Sequence, residues 1–179
     1  MRTFVAAEIQ NDEVLNSIAK LQSDLKIKAK PISKENMHFT LLFLGEITEE
    51  LAPKIIEALE SIAFSPIQVN FIGAGAFPNP KFPRVIWIGV DDTAAQNLVK
   101  LATQVEEKLG PLGFKSDRPF KSHLTIFRIK NNIGDISKEL DKIKTINLGH
   151  DTISELKFKK SILTPTGPIY SDLQVVKAR

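Results

Sequence analysis

The 179-residue sequence predicts a mixed fold of helices and strands in two lobes that rhyme with each other. Three observations point there. Short apolar runs of strand composition alternate with amphipathic stretches at helical spacing. The frame His-apolar-Thr-apolar occurs twice, as His38-Phe39-Thr40-Leu41 and His123-Leu124-Thr125-Ile126. Around each copy the order is the same: helix, connection, His-x-Thr strand, shorter helix, then strands. The two histidines are 85 residues apart, too far for a solenoid repeat and suited to a duplicated lobe. No low-complexity stretch or linker separates the halves, so residues 1–179 are expected to share one folded unit.

Residues 3–9 read as a short apolar strand. Asp12 is placed to cap a helix running to about Leu25, with Val14, Leu15, Ile18, Leu21 and Leu25 at helical spacing. Residues 26–31 form a basic connection ending in Pro31. The first His-x-Thr segment runs on through Leu41-Leu42-Phe43-Leu44, a buried strand stopped by Gly45. Residues 49–63 are helical, with Leu51, Ile55, Ile56, Leu59 and Ile62 on one side and Pro53 tolerated only in the first turn. Strands follow at 67–74 and 85–90. Between them, residues 77–84 carry Pro78, Pro80 and Pro83 among aromatic and charged residues, a loop able to approach a ligand. Asp92 or Thr93 starts a long helix to about Leu109, ended by Gly110-Pro111 and Gly113. Residues 115–120 lead into the second His-x-Thr strand. A short helix at 136–143 and closing strands at 152–163 and 169–176 complete the chain.

Composition narrows the function classes. With 42% hydrophobic and 25% charged residues the chain is globular, not disordered. Its charge is +3, but residues 1–90 hold nine basic against ten acidic side chains and residues 91–179 hold fifteen against eleven. That excess suits a polyanionic partner; charge alone fits a lysine-rich solvated surface at least as well. Cysteine is absent, which excludes disulfides, thiolate chemistry and cysteine-based zinc sites. Neither a signal-peptide core nor a membrane-length apolar run is present, so a soluble, cytoplasmic protein without a membrane partner is expected.

Strand side chains alternate between faces, so in each repeated frame His and Thr share one face and the apolar pair the other. Two such strands facing each other would offer two imidazoles and two hydroxyls: a base, an acid and two neutral donors, a device for metal-free chemistry on a phosphodiester. Thr follows a given position by two about one time in twenty, so two matches within one apolar frame carry weight. The tripeptide alone does not. His150-Asp151-Thr152 also spells it, but its second position is charged and no apolar run follows. Asp151 is not expected to face a core, and His150 reads as a surface turn residue. A single strand histidine is ordinarily bonded to a backbone carbonyl; the matched pair favours chemistry.

These frames and their flanks resemble the two-histidine (2H) phosphoesterase superfamily, and within it the RNA 2′,3′-cyclic phosphodiesterase branch, historically called 2′-5′ RNA ligase. The resemblance runs from Arg2-Thr3-Phe4-Val5-Ala6 through Asn36–Glu46, Phe82–Trp87 and Phe120–Arg128 to Ser161-Ile162-Leu163 and Gly167–Leu173. Lys121-Ser122 stands where such sequences often carry proline before the second histidine, and Leu42 where lysine is common. The resemblance implies a bilobal, pseudo-twofold α+β fold, two antiparallel sheets lining a central cleft with helices outside, as a single domain over 1–179. It implies no cofactor, no metal, a monomer, and as partner RNA with 2′,3′-cyclic phosphate ends, tRNA fragments among them. It further implies His38 as proton donor to the 3′ oxygen and His123 as proton acceptor from water, leaving a 2′-phosphomonoester. Thr40 and Thr125 would donate to the non-bridging oxygens.

Arg128 matches an arginine that such proteins use near the phosphate, yet its odd offset from His123 puts it on the opposite face unless the strand bulges after Ile126. Phe43 holds the same offset from His38; it is a candidate for stacking on a base, although its surroundings suit core better. Arg84, Arg118, Lys121 and Lys115 are candidate RNA-backbone contacts. Trp87, in an apolar strand, reads as core. Two alternatives stay open: the same site could join ends into a 2′-5′ linkage, or the chain could bind RNA ends without catalysis. No Lys-x-Asp-Gly or Gly-x-x-x-x-Gly-Lys motif supports a nucleotide-activated ligase.

Overall fold

The computed structural model describes residues 1–179. Nine strands form two antiparallel sheets. The first has the order β3-β1-β8-β9, from β1 (Arg2–Glu8), β3 (His38–Glu46), β8 (Glu155–Thr164) and β9 (Gly167–Lys177). The second has the order β2-β6-β5-β4-β7, from β2 (Lys30–Pro31), β4 (Ile67–Phe77), β5 (Val85–Val90), β6 (Leu124–Arg128) and β7 (Asn147–Ile153). Each sheet therefore holds one of the His-x-Thr segments, and β3 and β6 approach each other where the sheets meet.

The helices lie where their apolar stripes can cover a sheet. Helix α1 (Asp12–Asp24) buries Val14, Ile18 and Leu21 and packs on β7. Helix α3 (Asp92–Leu109) buries Leu98, Leu101, Val105 and Leu109 and packs on β3, β4 and α2 (Ala52–Glu60). A shorter helix, α4 (Ser137–Asp141), buries Leu140. One continuous apolar cluster draws on both sheets, with Phe39, Phe71, Phe127 and Phe158 among its fully buried members. No helix is long and apolar enough to cross a membrane.

Several expectations shift by local chemistry. The N-cap of α1 is Asn11, whose side chain accepts from the Glu13 amide; Asp12 is the first helical residue, where its charge meets the helix N-terminus. Asp91 caps α3 by accepting from the Ala94 amide at 3.1 Å. The segment before Ile153 is strand β7, not a turn, and His150 lies exposed within it. Asp151 is buried after all: its carboxylate accepts from the Gln10 and Asn11 amides at 2.8 and 3.1 Å, fastening β7 to the start of α1. Lys30–Pro31, read as connection, pairs with Arg128 and Phe127 as a two-residue edge strand.

Candidate active site

Both His-x-Thr strands bulge at the same place. In β3, Thr40 pairs with Ala6 and Leu42 with Val5, leaving Leu41 as the extra residue. In β6, Thr125 pairs with Trp87 and Phe127 with Ile86, leaving Ile126. A bulge resets the alternation, so two consecutive apolar residues turn into the core and the fifth residue after each histidine returns to the histidine's face. Leu41, Leu42, Ile126 and Phe127 are all buried. Arg128 thereby joins the face of His123 and Thr125. Phe43 joins that of His38 and Thr40; it is 68% exposed beside Phe4, not in the core.

His38 is held at both ring nitrogens. Its Nδ1–H donates to the Asn36 carbonyl at 2.7 Å, which leaves Nε2 facing the Thr40 hydroxyl at 3.0 Å. When the ring is neutral, Thr40 must donate to Nε2; when the ring is charged, Nε2–H donates to Thr40 and frees the hydroxyl proton for another acceptor. The ring packs against Phe4 and edge-on against Tyr170, with centroids 5.2 and 5.4 Å away. Burial pushes its pKa below the usual imidazole value; the Asn36 carbonyl pulls the other way, Lys159 lowers it, Glu8 raises it, and Arg128 lowers it. Arg128 belongs to the other sheet, so the two motif faces share one electrostatic neighbourhood. Burial likewise raises the Tyr170 hydroxyl, against the pull of Arg128, Lys159 and Arg2.

Beneath His38 lies a four-charge cluster. Glu8 is the cross-strand partner of His38. Lys157 reaches Glu8 at 2.8 Å and Asp172 at 3.1 Å; Lys159, only 5% exposed, contacts Glu8 and reaches Asp172 at 2.7 Å. Burial alone would raise the Asp172 carboxyl, but the two ammonium groups hold it below the usual range. Burial would likewise lower Lys157, and the two carboxylates keep it raised instead.

His123 is held differently. Its imidazole stacks on the Trp87 indole, centroids 3.9 Å apart and planes within 8°, with Phe77 at 5.2 Å. Trp87 is thus half-buried on the face of His123 and not in the core. Lys121 lies over the Phe77 ring at 4.2 Å, next to His123. Burial and then Lys121 lower the His123 pKa. Of the other basic candidates, Arg84 donates to the Lys130 carbonyl at 3.0 Å, while Arg118 and Lys115 are exposed; no contact joins these three to either histidine.

The residues brought together are therefore His38, Thr40, Phe43, Arg128 and Tyr170 around one imidazole, and His123, Thr125, Trp87, Phe77 and Lys121 around the other. Such a surface can take a proton, give one, and meet developing negative charge with hydroxyls and a guanidinium.

The family model described as LigT like Phosphoesterase matches the chain twice, over residues 9–87 and 88–170, one match for each His-x-Thr segment. The chain is 41% identical over 177 residues to the RNA 2′,3′-cyclic phosphodiesterase of Archaeoglobus fulgidus, covering 98% of this chain and 99% of that one. It is 39% identical to the protein of the same name from Methanocaldococcus jannaschii, with 95% and 96% covered. A crystal structure of a Thermus thermophilus protein superposes with a TM-score of 0.84 at 26% identity, covering 100% of this chain and 98% of that one. Escherichia coli LigT complexed with 3′-AMP shares the fold, with a TM-score of 0.79 at 21% identity and 99% and 97% coverage.

Proposed function

This chain belongs to the LigT-like phosphoesterase family, and on that premise we propose that it opens the 2′,3′-cyclic phosphate at an RNA terminus with water, leaving a 2′-phosphomonoester. The observation that carries the mechanism is the paired geometry: His38-Thr40 on β3, and His123 immediately before β6 with Thr125 on it, with Arg128 reaching across electrostatically to His38. His38 is the acid and His123 the base. Burial lowers both rings, and Lys159 and Arg128 lower His38 further, but only His38 has influences that favour its charged form, the Asn36 carbonyl and Glu8. Protonated His38 also leaves the Thr40 hydroxyl free to donate to a non-bridging oxygen. Thr125 does the same from the other wall, and Arg128 meets the phosphate charge.

The whole of residues 1–179 acts as one domain, since one apolar cluster supports both His-Thr faces. One chain supplies both faces, so the working unit is a monomer. Its partners are RNA ends such as those left on cleaved tRNA, met in the cytoplasm. Phe43, exposed, is the candidate to stack on the base of the terminal nucleoside, and Lys121 the candidate to meet the RNA backbone leading to it.

Incubation with an RNA ending in a cyclic phosphate, followed by identification of the terminus, tests this reading. A 2′-phosphate is expected. A 3′-phosphate reverses the acid and base, a 2′-5′ joined product moves the activity to end joining, and an unchanged terminus defeats the proposal. Arg128→Met should lower kcat/KM by about 10- to 100-fold, as expected for a lost charge-assisted contact to phosphate. Because Arg128 lowers His38, its removal should also move the His38 limb of the rate profile to higher pH. A variant with wild-type kcat/KM and profile would exclude Arg128 from the site.

A further inference from the structure

His123 lacks the anchor that His38 has. The Nδ1 of His123 is buried with no hydrogen-bond partner, and so is the indole Nε1 of Trp87. Buried polar atoms are nearly always paired, and two orphans on two stacked rings mark a place where the fold accepts a cost. A histidine acting as a base ordinarily gives its second N–H to a carbonyl or carboxylate, which orients the ring and stabilises the imidazolium once the proton has arrived. Here aromatic rings pack against the imidazole. The indole lies parallel to it at 3.9 Å, and Phe77 closes in at 5.2 Å.

The sheet is built to allow this. Gly75 on β4 is the cross-strand partner of Trp87 on β5. A Cβ at Gly75 would fall 2.2 Å from the Trp87 ring, so only glycine lets the indole lie flat across the strands. Thr125 on β6 is the partner of Trp87 on its other side, which brings the His123 end of β6 over the same indole. The charged group acting on His123 is Lys121 of its own approach segment. Strands β4 and β5 contribute Phe77 and Trp87, which do not titrate, and β6 contributes Thr125 and Arg128 on that face. No carboxylate contacts the ring.

We propose that Trp87 is a positioning residue for His123: its indole face orients the imidazole and stabilises the imidazolium formed when His123 takes the proton from water, in place of the missing Nδ1 acceptor. The physical basis is the negative face of an aromatic ring, strongest for tryptophan, on which a cation is held more firmly the more it is desolvated. The proposal rests on the reading of His123 as the base, but its central measurement does not.

With only three histidines in the chain, their ring protons can be followed individually by NMR titration. In Trp87→Leu the apolar wall remains and the π face is lost. The His123 titration midpoint should fall by about half a pH unit or more, and Trp87→Phe should restore part of it. The His38 midpoint should stay within error, as an internal control. In kinetics, Trp87→Leu should reduce kcat about 3- to 10-fold while the acid limb of kcat/KM moves to lower pH. If Trp87 were merely a wall that excludes water, loosening it would leave the His123 midpoint in place or raise it, and either result overturns the proposal. Gly75→Ala, which pushes the indole off the sheet, should reproduce the fall. A lowered midpoint with unaltered kcat would retain the stack and remove His123 from the role of base, which separates failure of the inference from failure of the underlying mechanism.

Discussion

Replacing either motif histidine by alanine should reduce cyclic-phosphate opening by about 10²- to 10⁴-fold, the usual contribution of one positioned proton transfer. The two losses should not add. Once one partner is gone the other cannot complete its half of the reaction, so the double variant should lie close to the worse single variant. Circular dichroism and thermal melts should stay near wild type, because both rings are half-buried at the cleft and neither is a core member. His38→Ala does remove a ring that Phe4 and Tyr170 pack against, so His38→Asn is the better control for shape. The wild-type rate should be bell-shaped against pH. Burial lowers both imidazoles, so the bell should sit on the acid side of where two unperturbed histidines would put it. Turnover should survive chelators, since every proposed step uses side chains of this chain. A single alanine variant with wild-type turnover, or a flat profile, would defeat the two-histidine mechanism and leave binding alone.

The parts of this site that could be read from the chain are those that depend on alternation within one strand. His38 with Thr40 and His123 with Thr125 share faces because residues two apart in a strand must, and Phe39 and Leu124 point inward for the same reason. What could not be read depends on a partner strand. A bulge is a mismatch of register between two strands, and neither Leu41 nor Ile126 differs in kind from its neighbours. The condition that Arg128 needs such a bulge could be stated; that Phe43 gains one too, and so leaves the core, could not. Trp87 was legible as an apolar strand residue, but its face is decided by Gly75, twelve residues earlier and across a loop. The burial of Asp151 has no local signal, because its two amide donors lie some 140 residues away on the entry to α1. The charged cluster does have a local signal: Lys157 and Lys159 alternate with Leu156 and Phe158 in a strand. A lysine face on a strand with a buried opposite face needs acidic partners, and Glu8 and Asp172 occupy the same face of the neighbouring strands.

That cluster carries the largest expected effect on stability. Changing Lys157 and Lys159 together to methionine keeps most of the aliphatic stems packed and removes both cations, stranding Glu8 and Asp172 beneath His38. Leaving one side of a buried ion cluster uncompensated typically costs about 3–5 kcal/mol. The expected loss here is about 3 kcal/mol, toward the lower end, because Asp172 keeps 37% of its side chain in solvent. The pH dependence supplies the sharper test. In the wild type, Asp172 is held below its ordinary pKa, so its contribution is complete above the unfolded value and is lost as pH falls through the folded one. Lys157 is raised, so its contribution is complete below the unfolded lysine value and is lost as pH rises through the folded one. In the double variant the carboxylates are buried without a counter-charge, which favours their neutral forms. Acid then relieves the defect, and the loss relative to wild type should shrink as pH is lowered from about 7 toward 4. Adding Glu8→Gln and Asp172→Asn should recover much of the loss at neutral pH, since four neutral groups need no charge balance. Urea midpoints across that range decide the matter: parallel curves for wild type and double variant, or a neutral-pH loss below about 1 kcal/mol, would mean that water already screens these charges and that the floor under His38 is held by packing alone.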